Sequence, residues 1–485
     1  LDCLDHPRGY RSGDPQTAMI TSPAFAGKQY AVLGLARSGT AVVESLLASG
    51  AQVTAWDSRE EPRQALAARH GTELNLEDPS SMDLSALTAV VVSPGVPLNR
   101  HPITEAAAAA GVPIIGDIEL FAQARSDLPA HRVVGITGTN GKSTTTALVH
   151  HLLKSAALPV RMGGNIGIPV LEPEPLAAGG VYVLELSSYQ IDLTSSLHCE
   201  VAALLNISPD HLDRYDDFSA YASAKARLMA MQLPGQHAVF GMGDAETAAI
   251  ADVEMARRRP EFVHRVDGSD VASMQPDWPS LQGPHNLQDA AVAIAIVEAL
   301  GLTRAQWRAA LPTFRGLPHR MERVAKVGGV LFINDSKATN PASAAPALGA
   351  FPPRTELRPE LGNMRRIHWI LGGVPKSDNL AECEPFFANV AAAYVIGEAG
   401  PLFARLLEPH MPVSRSEMLS EAIRQAIAAA RPGDIIMLSP ACASLDQFRD
   451  YEARGDAFRQ IVEALTELAS NPVNEIPDHD RGGKA

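Results

Sequence analysis

The stretch Val133-Val-Gly-Ile-Thr137, followed at once by Gly138-Thr-Asn-Gly-Lys-Ser-Thr144, decides the reading of this chain. A short β-branched run that breaks into a glycine-rich turn and then a hydroxyl-rich helical stretch is a strand, a loop and a helix start. In such a loop the backbone N–H groups cradle phosphates, a lysine neutralises the outer oxygens and a hydroxyl meets magnesium. The strict G-x-x-x-x-G-K-[ST] spacing is not kept, because position 136 is Ile and the glycines fall at 135 and 138.

Outward from that loop, three blocks alternate β-branched runs with Ala-rich helical stretches, the pattern of parallel α/β sheets. Strands are expected at Tyr30–Leu33, Val53–Trp56, Ala89–Val92 and Pro113–Ile115, with a helix from near Gly39 to Gly50. The middle block supplies Val133–Thr137, Val181–Leu186, Val201–Asn206 and Ala238–Gly241. The third supplies Val330–Asn334, His368–Leu371, Ala393–Ile396 and Ile435–Leu438. Joints are expected at Gly116–His131 and Phe314–His319, a disordered extension at Leu1–Ala26 and a flexible tail over 470–485. The fold class is therefore α/β in three lobes, 27–119, 120–316 and 317–469.

Composition narrows the function. The 485 residues carry 41 Lys and Arg against 55 Asp and Glu, a net charge of -14, which disfavours a nucleic-acid binder. Uncharged apolar runs such as Ala106–Ile115 and Ala290–Val297 fall short of the roughly 18–20 residues a membrane-spanning helix needs. Cys3, Cys199, Cys383 and Cys442 are far apart, with no CxxC pair, which fits a reducing cytosol rather than a disulfide or zinc framework.

The first block ends its leading strand in Gly34-Leu-Ala-Arg-Ser-Gly39, a dinucleotide-type fingerprint with Ala36 in place of the middle glycine. Asp57 follows 23 residues after Gly34, and Ser93-Pro94-Gly95 closes another strand. Two readings stay open here, a phosphate-binding helix start or a tight turn with no ligand. In the middle block Glu185 ends a strand and is placed to hold magnesium, and Asp210-His211-Leu-Asp-Arg214 ends another. Lys225, within Phe218–Met231, reads on its own as a solvated helical lysine.

The strings GITGTNGKSTTT, GGNIG (163–167), LELSSYQ and DHLDRY resemble the Mur ligase family, ATP-dependent amide-forming enzymes of peptidoglycan precursor synthesis. Asn334-Asp-Ser-Lys-Ala-Thr-Asn340 and SPACASLDQF (439–448) are similar to its D-glutamate-adding branch, and the likeness runs from about residue 28 to 469. The resemblance implies a Rossmann-like N-terminal lobe, a central P-loop-type ATPase lobe and a Rossmann-like C-terminal lobe. It implies ATP contacts at Gly138, Thr139, Asn140, Gly141, Lys142, Ser143, Thr144, Asn286, Arg320, Asp335 and Lys337. His285-Asn286 matches an adenine-side motif whose second amide is Asp289 here.

The substrate UDP-N-acetylmuramoyl-L-alanine is expected at Gly34, Leu35, Ala36, Asp57, Ser58, Arg59, Gly95, Asn165 and His211. D-glutamate is expected at Thr339, Lys376, Ser444 and Tyr451, the last an aromatic usually given as Phe. A dicarboxylate needs cations and hydroxyl donors, which these residues offer. Two magnesium ions are implied on Ser143, Glu185, His211 and Lys225, with Lys225 carbamylated by carbon dioxide. Lys142, His211 and Lys225 are the implied catalytic residues, and His319-Arg320 resembles the arginine that meets ATP phosphate. The resemblance also implies a monomer, the cysteine usage points to the cytoplasm, and substrates drawn from three lobes imply closure of the third lobe to exclude water. The other readings are a folylpolyglutamate synthase, a sibling adding L-alanine or a diamino acid, a non-catalytic nucleotide-binding module and, weakest, a nicotinamide dehydrogenase.

Overall fold

Near-continuous apolar strands need cover on both faces, and the first sheet shows this: β4 (Ala89–Val92) is buried at every residue. In the computed structural model, which describes residues 19–210, 214–353 and 365–470, β4 lies in a five-stranded parallel sheet. Its partners are β1 (Gln29–Leu33), β2 (Gln52–Trp56), β3 (Leu74–Leu76) and β5 (Ile114–Ile115), in the order β3-β2-β1-β4-β5. The chain reverses direction across the sheet between β1 and β4, and a crevice opens at the carboxyl ends of such a pair.

Helix α1 (Arg37–Ala48) buries Val42, Val43 and Leu46, and the chain turns at Gly50 with φ +80°. It starts two residues before the expected Gly39 because that glycine belongs to the first turn. A Cβ there would lie 1.8 Å from the Gly34 carbonyl oxygen. Helices α2 (Glu60–His70) and α3 (Ile103–Ala110) complete this layer.

Two expectations need correction. Of the extension expected over Leu1–Ala26, residues 1–18 lie outside the described part, but the rest is packed. Ile20 and Phe25 are fully buried, and the Ile20 N–H donates to the Leu171 carbonyl. Two isolated apolar residues carry no periodicity, so the sequence hid them. The joint expected at Gly116–His131 is largely a helix, α4 (Asp117–Ala124), which buries Ile118, Leu120 and Phe121. Glu119 accepts hydrogen bonds from the Ser195 and Ser196 N–H groups, which ties the first lobe to the second. These two lobes form one compact unit.

The second sheet is also parallel, with β6 (His131–Thr137), β7 (Val160–Gly164), β8 (Gly180–Glu185), β9 (Val201–Leu204), β10 (His237–Gly241) and β11 (Val263–Val266). Its order is β11-β10-β9-β6-β8-β7, so β6 sits between the strands that end in Glu185 and in the residues before Asp210. Helices α5 (Lys142–Ser155), α6 (Ser188–Asp192), α7 (Phe218–Ala230), α8 (Ala245–Arg257), α9 (Pro284–Ala299) and α10 (Arg304–Ala310) cover it.

The other compact unit holds β12 (Glu322–Val327), β13 (Val330–Asn334), β14 (Ile367–Gly372), β15 (Val390–Ile396), β16 (Val413–Glu417) and β17 (Ile435–Leu438). Their order is β12-β13-β17-β14-β15-β16. Only β12 runs antiparallel to its neighbour, joined to β13 through Gly328-Gly329, both at positive φ as a tight two-residue hairpin requires. Helices α11 (Pro341–Gly349), α12 (Gly400–Leu407), α13 (Leu419–Ala429) and α14 (Tyr451–Ser470) flank the sheet. The chain crosses between the two units more than once. Residues 313 onward and the segment Pro276–Gly283 belong to the second unit, while Pro284–Pro312 returns to the first. Residues 471–485 of the expected tail lie outside the described part. No helix among the described residues is long and apolar enough to cross a membrane.

Asp117 opens α4 at 4% exposure, and neither carboxylate oxygen has a hydrogen-bond partner within normal geometry among the described residues. Burial pushes its pKa from the ordinary 3.8 up to about 6, and the nearby amides of Ile118 and Gln190 offset this only in part. The folded state therefore binds this proton more tightly than the unfolded chain. The stabilisation is complete below pH 3.8 and lost as pH rises through about 6. Asp117→Asn should match the wild type in urea unfolding near about pH 4. Near about pH 7.5 it should be more stable by about 3 kcal/mol.

Candidate active site

The loop after β6 is held from three sides. Asn206, just beyond β9, grips Asn140 through its side-chain amide: its oxygen accepts the Asn140 N–H at 2.9 Å and its nitrogen donates to the Asn140 carbonyl at 3.1 Å. Thr139 accepts from the Ser208 N–H at 3.0 Å and lies 3.1 Å from the Tyr221 hydroxyl. Gly138 takes φ +153°, and a Cβ there would press on Leu205 at 3.0 Å. Gly141 takes φ +81°, and a Cβ would meet the Asp289 carboxylate at 2.1 Å. Gly135 instead serves strand packing, since a Cβ on it would strike the Cys199 Sγ at 2.7 Å.

Two lysines converge on this loop. Lys142 Nζ donates to the Gly138 carbonyl at 3.0 Å and to Thr139 at 2.8 Å, and Lys225 Nζ donates to the same Gly138 oxygen at 2.8 Å. Lys225 is only 2% exposed, with Nζ 4.6 Å from the Tyr221 ring centroid, so the solvated-face reading of this helical lysine is wrong. Burial, reinforced by the Lys142 charge, pushes its pKa down to about 7, while Asp210 and Asp192 pull the other way. An ammonium held this way is poised to lose its proton near neutrality. Ser143 is buried in the first turn of α5, and Thr144 half-buried beside it.

Glu185 ends β8 at 3% exposure. Its Oε1 accepts from the Asn165 amide at 3.0 Å, and its Oε2 is buried with no hydrogen-bond partner among the described residues. A buried carboxylate oxygen of this kind suits a hard cation that takes oxygen ligands. The described residues contain no group of three His, Cys, Asp or Glu side chains arranged for a metal ion. His211 lies outside the described residues. Gly164 fits against Glu185, since a Cβ there would lie 2.2 Å from the Glu185 carbonyl.

A cleft of about 450 Å³ runs from the β1/β4 crevice to the Gly163–Gly167 loop, with Gly34, Ala36, Asp57, Gly95 and Asn165 on its walls. Leu35 is buried beneath it, and Ser58 and Arg59 are exposed and do not line it. Asp57 does structural work as well. Its carboxylate accepts the Leu35 N–H at 2.7 Å and the Arg59 N–H at 2.9 Å, pinning the fingerprint turn. Burial alone would raise its pKa, but these N–H groups and the Arg59 guanidinium hold it below the usual carboxylate range. On α9, His285 is exposed and Asn286 half-buried, whereas Asp289 is buried against the Gly138–Gly141 loop.

In the second unit the loops after β13, β14 and β17 meet. Lys376 Nζ lies 3.4 Å from the Thr339 hydroxyl, and Ser444 is buried on the loop after β17. Lys337 Nζ donates to the Tyr451 hydroxyl at 3.1 Å, a contact a phenylalanine could not accept. Asp335 faces inward, accepting from the Ser439 hydroxyl at 2.8 Å and the Met321 N–H at 3.1 Å, and burial pushes its pKa up to about 7. It braces the turn that carries Arg320, whose neighbours His319 and Met321 both take positive φ. Sequence reasoning missed two members. Arg454, 1% exposed, donates to Ser336, Cys442 and Gly372, and Asn206 clamps the loop after β6. Arg454 carries no motif signal, but Asn206 could have been found as a polar residue closing an apolar strand beside that loop.

Comparison with known proteins agrees with this architecture. Residues 28–116 match the model of the Mur ligase MurD-like N-terminal domain, 136–297 the Mur ligase middle domain and 319–442 the Mur ligase glutamate ligase domain. Two solved structures from Thermotoga maritima share the fold. The UDP-N-acetylmuramate-alanine ligase MurC has TM-score 0.54 at 18% identity, covering 90% of this chain and 99% of that one. A MurF ligase in complex with ADP has TM-score 0.53 at 12% identity, covering 92% and 97%. The chain belongs to the Mur ligase family. Within that family, a relative from Novosphingobium aromaticivorans is 67% identical over 454 residues, 94% of this chain and 98% of its own length. One from Sphingopyxis alaskensis is 57% identical over 448 residues, covering 92% and 100%. Both are named UDP-N-acetylmuramoylalanine--D-glutamate ligase.

The Gly141 contact yields a direct check. Gly141→Ala should raise the KM for ATP by more than about tenfold and lower stability by about 2–3 kcal/mol, from steric pressure and backbone strain together. Adding Asp289→Ala should relieve the steric part and return some of both, as steady-state kinetics and thermal melting would read.

Proposed function

We propose that this chain joins D-glutamate to UDP-N-acetylmuramoyl-L-alanine in peptidoglycan precursor synthesis, with ATP converted to ADP and phosphate. The substrate carboxylate attacks the γ-phosphorus, ADP leaves, and the acid becomes an acyl phosphate. The amine of glutamate then attacks the acyl carbon, loses a proton, and the tetrahedral intermediate expels phosphate. A carboxylate acylates poorly, and phosphorylation supplies its leaving group, so no protein nucleophile is required.

The observation that carries this reading is the convergence of Lys142 and Lys225 on the Gly138 carbonyl, one strand from an unpartnered Glu185 oxygen. Lys142 is suited to balance the charge of the transferred phosphoryl group, and the backbone N–H groups of residues 138–144 to hold the polyphosphate. Two magnesium ions, when bound, would offset the negative charge gathered there, with Ser143, Glu185, Lys225 as a carbamate and His211 among their ligands. Carbamylation needs a neutral amine, and the depressed pKa of Lys225 supports it. His211 is also suited to accept the proton of the amine.

Asn286 would meet adenine and Arg320, Asp335 and Lys337 would serve ATP. Gly34, Ala36, Asp57, Ser58, Arg59, Gly95 and Asn165 would serve the UDP-sugar, and Thr339, Lys376, Ser444 and Tyr451 the glutamate. We place the working enzyme in the cytoplasm as a monomer. Buried free thiols at Cys199, Cys383 and Cys442 are consistent with a reducing compartment.

Phosphate release from ATP with UDP-N-acetylmuramoyl-L-alanine should require D-glutamate and proceed with neither L-glutamate nor L-alanine. Turnover with L-alanine alone would overturn the assignment. Lys225→Ala should lose at least about 100-fold in kcat and be partly restored by added short carboxylates. Lys142→Ala should not be restored. Undiminished turnover of Lys225→Ala would remove the carbamate from the mechanism.

A further inference from the structure

A cleft that takes UDP-N-acetylmuramoyl-L-alanine, as proposed above, has to accommodate the negative charge of a diphosphate. Only two of its lining residues carry formal charge, Asp57 and Arg37. Asp57 has the wrong sign, and it is retained because its oxygens hold the Leu35 and Arg59 N–H groups. The unpaired N–H groups at the start of α1 attract an anion, but only with partial charge.

Backbone approach is also restricted at this turn. Ala36 stands where the dinucleotide-type fingerprint has its middle glycine, is exposed, and forms the N-cap with no side-chain bond of its own. Its methyl group keeps a phosphate farther from the main chain than glycine would. The next residue, Arg37, is the first of α1, is exposed, and makes no hydrogen bond or ion pair with any described residue. Its long side chain can reach past the Ala36 methyl, and its planar fork matches two phosphate oxygens at once.

We propose that Arg37 clamps the diphosphate of the UDP-sugar substrate and sets the affinity of this cleft. The assignment rests on the reading of the cleft as the UDP-sugar site, and it concerns binding in the ground state. Arg37 therefore acts on KM rather than on the chemical step.

The test uses the full-length enzyme with Arg37→Ala and Arg37→Lys, and with UDP and uridine as probes in calorimetric titrations. Arg37→Ala should raise the KM for UDP-N-acetylmuramoyl-L-alanine about tenfold, with kcat and the KM values for ATP and D-glutamate changed less than about twofold. UDP should bind the variant about tenfold more weakly while uridine binds as to the wild type, and Arg37→Lys should fall between. Unchanged affinity for UDP, or equal weakening of UDP and uridine, would overturn the assignment. If the wild type turned over no UDP-N-acetylmuramoyl-L-alanine yet UDP binding still fell in Arg37→Ala, the clamp would stand and the substrate reading would fail.

Discussion

A single carbonyl oxygen, that of Gly138, receives hydrogen bonds from two ammonium groups, Lys142 and Lys225. Burial strips the Lys225 ammonium of hydration and the Lys142 charge beside it adds repulsion, which together push its pKa down to about 7. Everything around the loop serves to hold that arrangement. Tyr221, one helical turn before Lys225, touches Thr139 by its hydroxyl and Lys225 by its ring face. Asn206 fixes the next residue of the loop, and a glycine at 138 lets the chain pass close under β9.

The same geometric device recurs in each sheet. Crossover connections place the loops of neighbouring parallel strands at one edge, and a reversal in strand order spreads two of them apart. In the first sheet this yields the turn at Gly34 beside Ser93–Gly95. In the second it sets the Gly138–Thr144 loop between Glu185 and the residues after β9. In the third it gathers Thr339, Lys376 and Ser444 from loops after three different strands. Residues distant in sequence become neighbours because strand order, not chain order, decides which loops meet.

Much of this was legible from residue pattern. The twelve expected strands occur, most of them because parallel strands buried on both faces read as apolar runs. The strands that escaped, Leu74–Leu76, Val160–Gly164, Val263–Val266, Glu322–Val327 and Val413–Glu417, are short or partly polar, and each lies at the edge of its sheet, where one side needs no apolar cover. Side-chain direction was less accessible. Nothing local distinguishes a buried Lys225 from a solvated one, since only the packing of α7 against the loop turns it inward. Likewise Asp335 and Asp57 have sequence positions that suit ligand contact, yet both carboxylates are engaged by the turns they stabilise. Motif position locates a residue at a site, and hydrogen bonding then decides how its oxygens are shared.

The segment Pro276–Gly283 belongs to the second unit although the chain afterwards returns to the first for Pro284–Pro312. It buries Trp278 and Leu281, and its Pro279 carbonyl accepts from Arg323 at 3.4 Å. A fragment begun at residue 313 would therefore leave behind a segment that groups with it, including two buried apolar side chains. Grafting this unit between relatives would then call for carrying the eight-residue insert along with residues 313 onward.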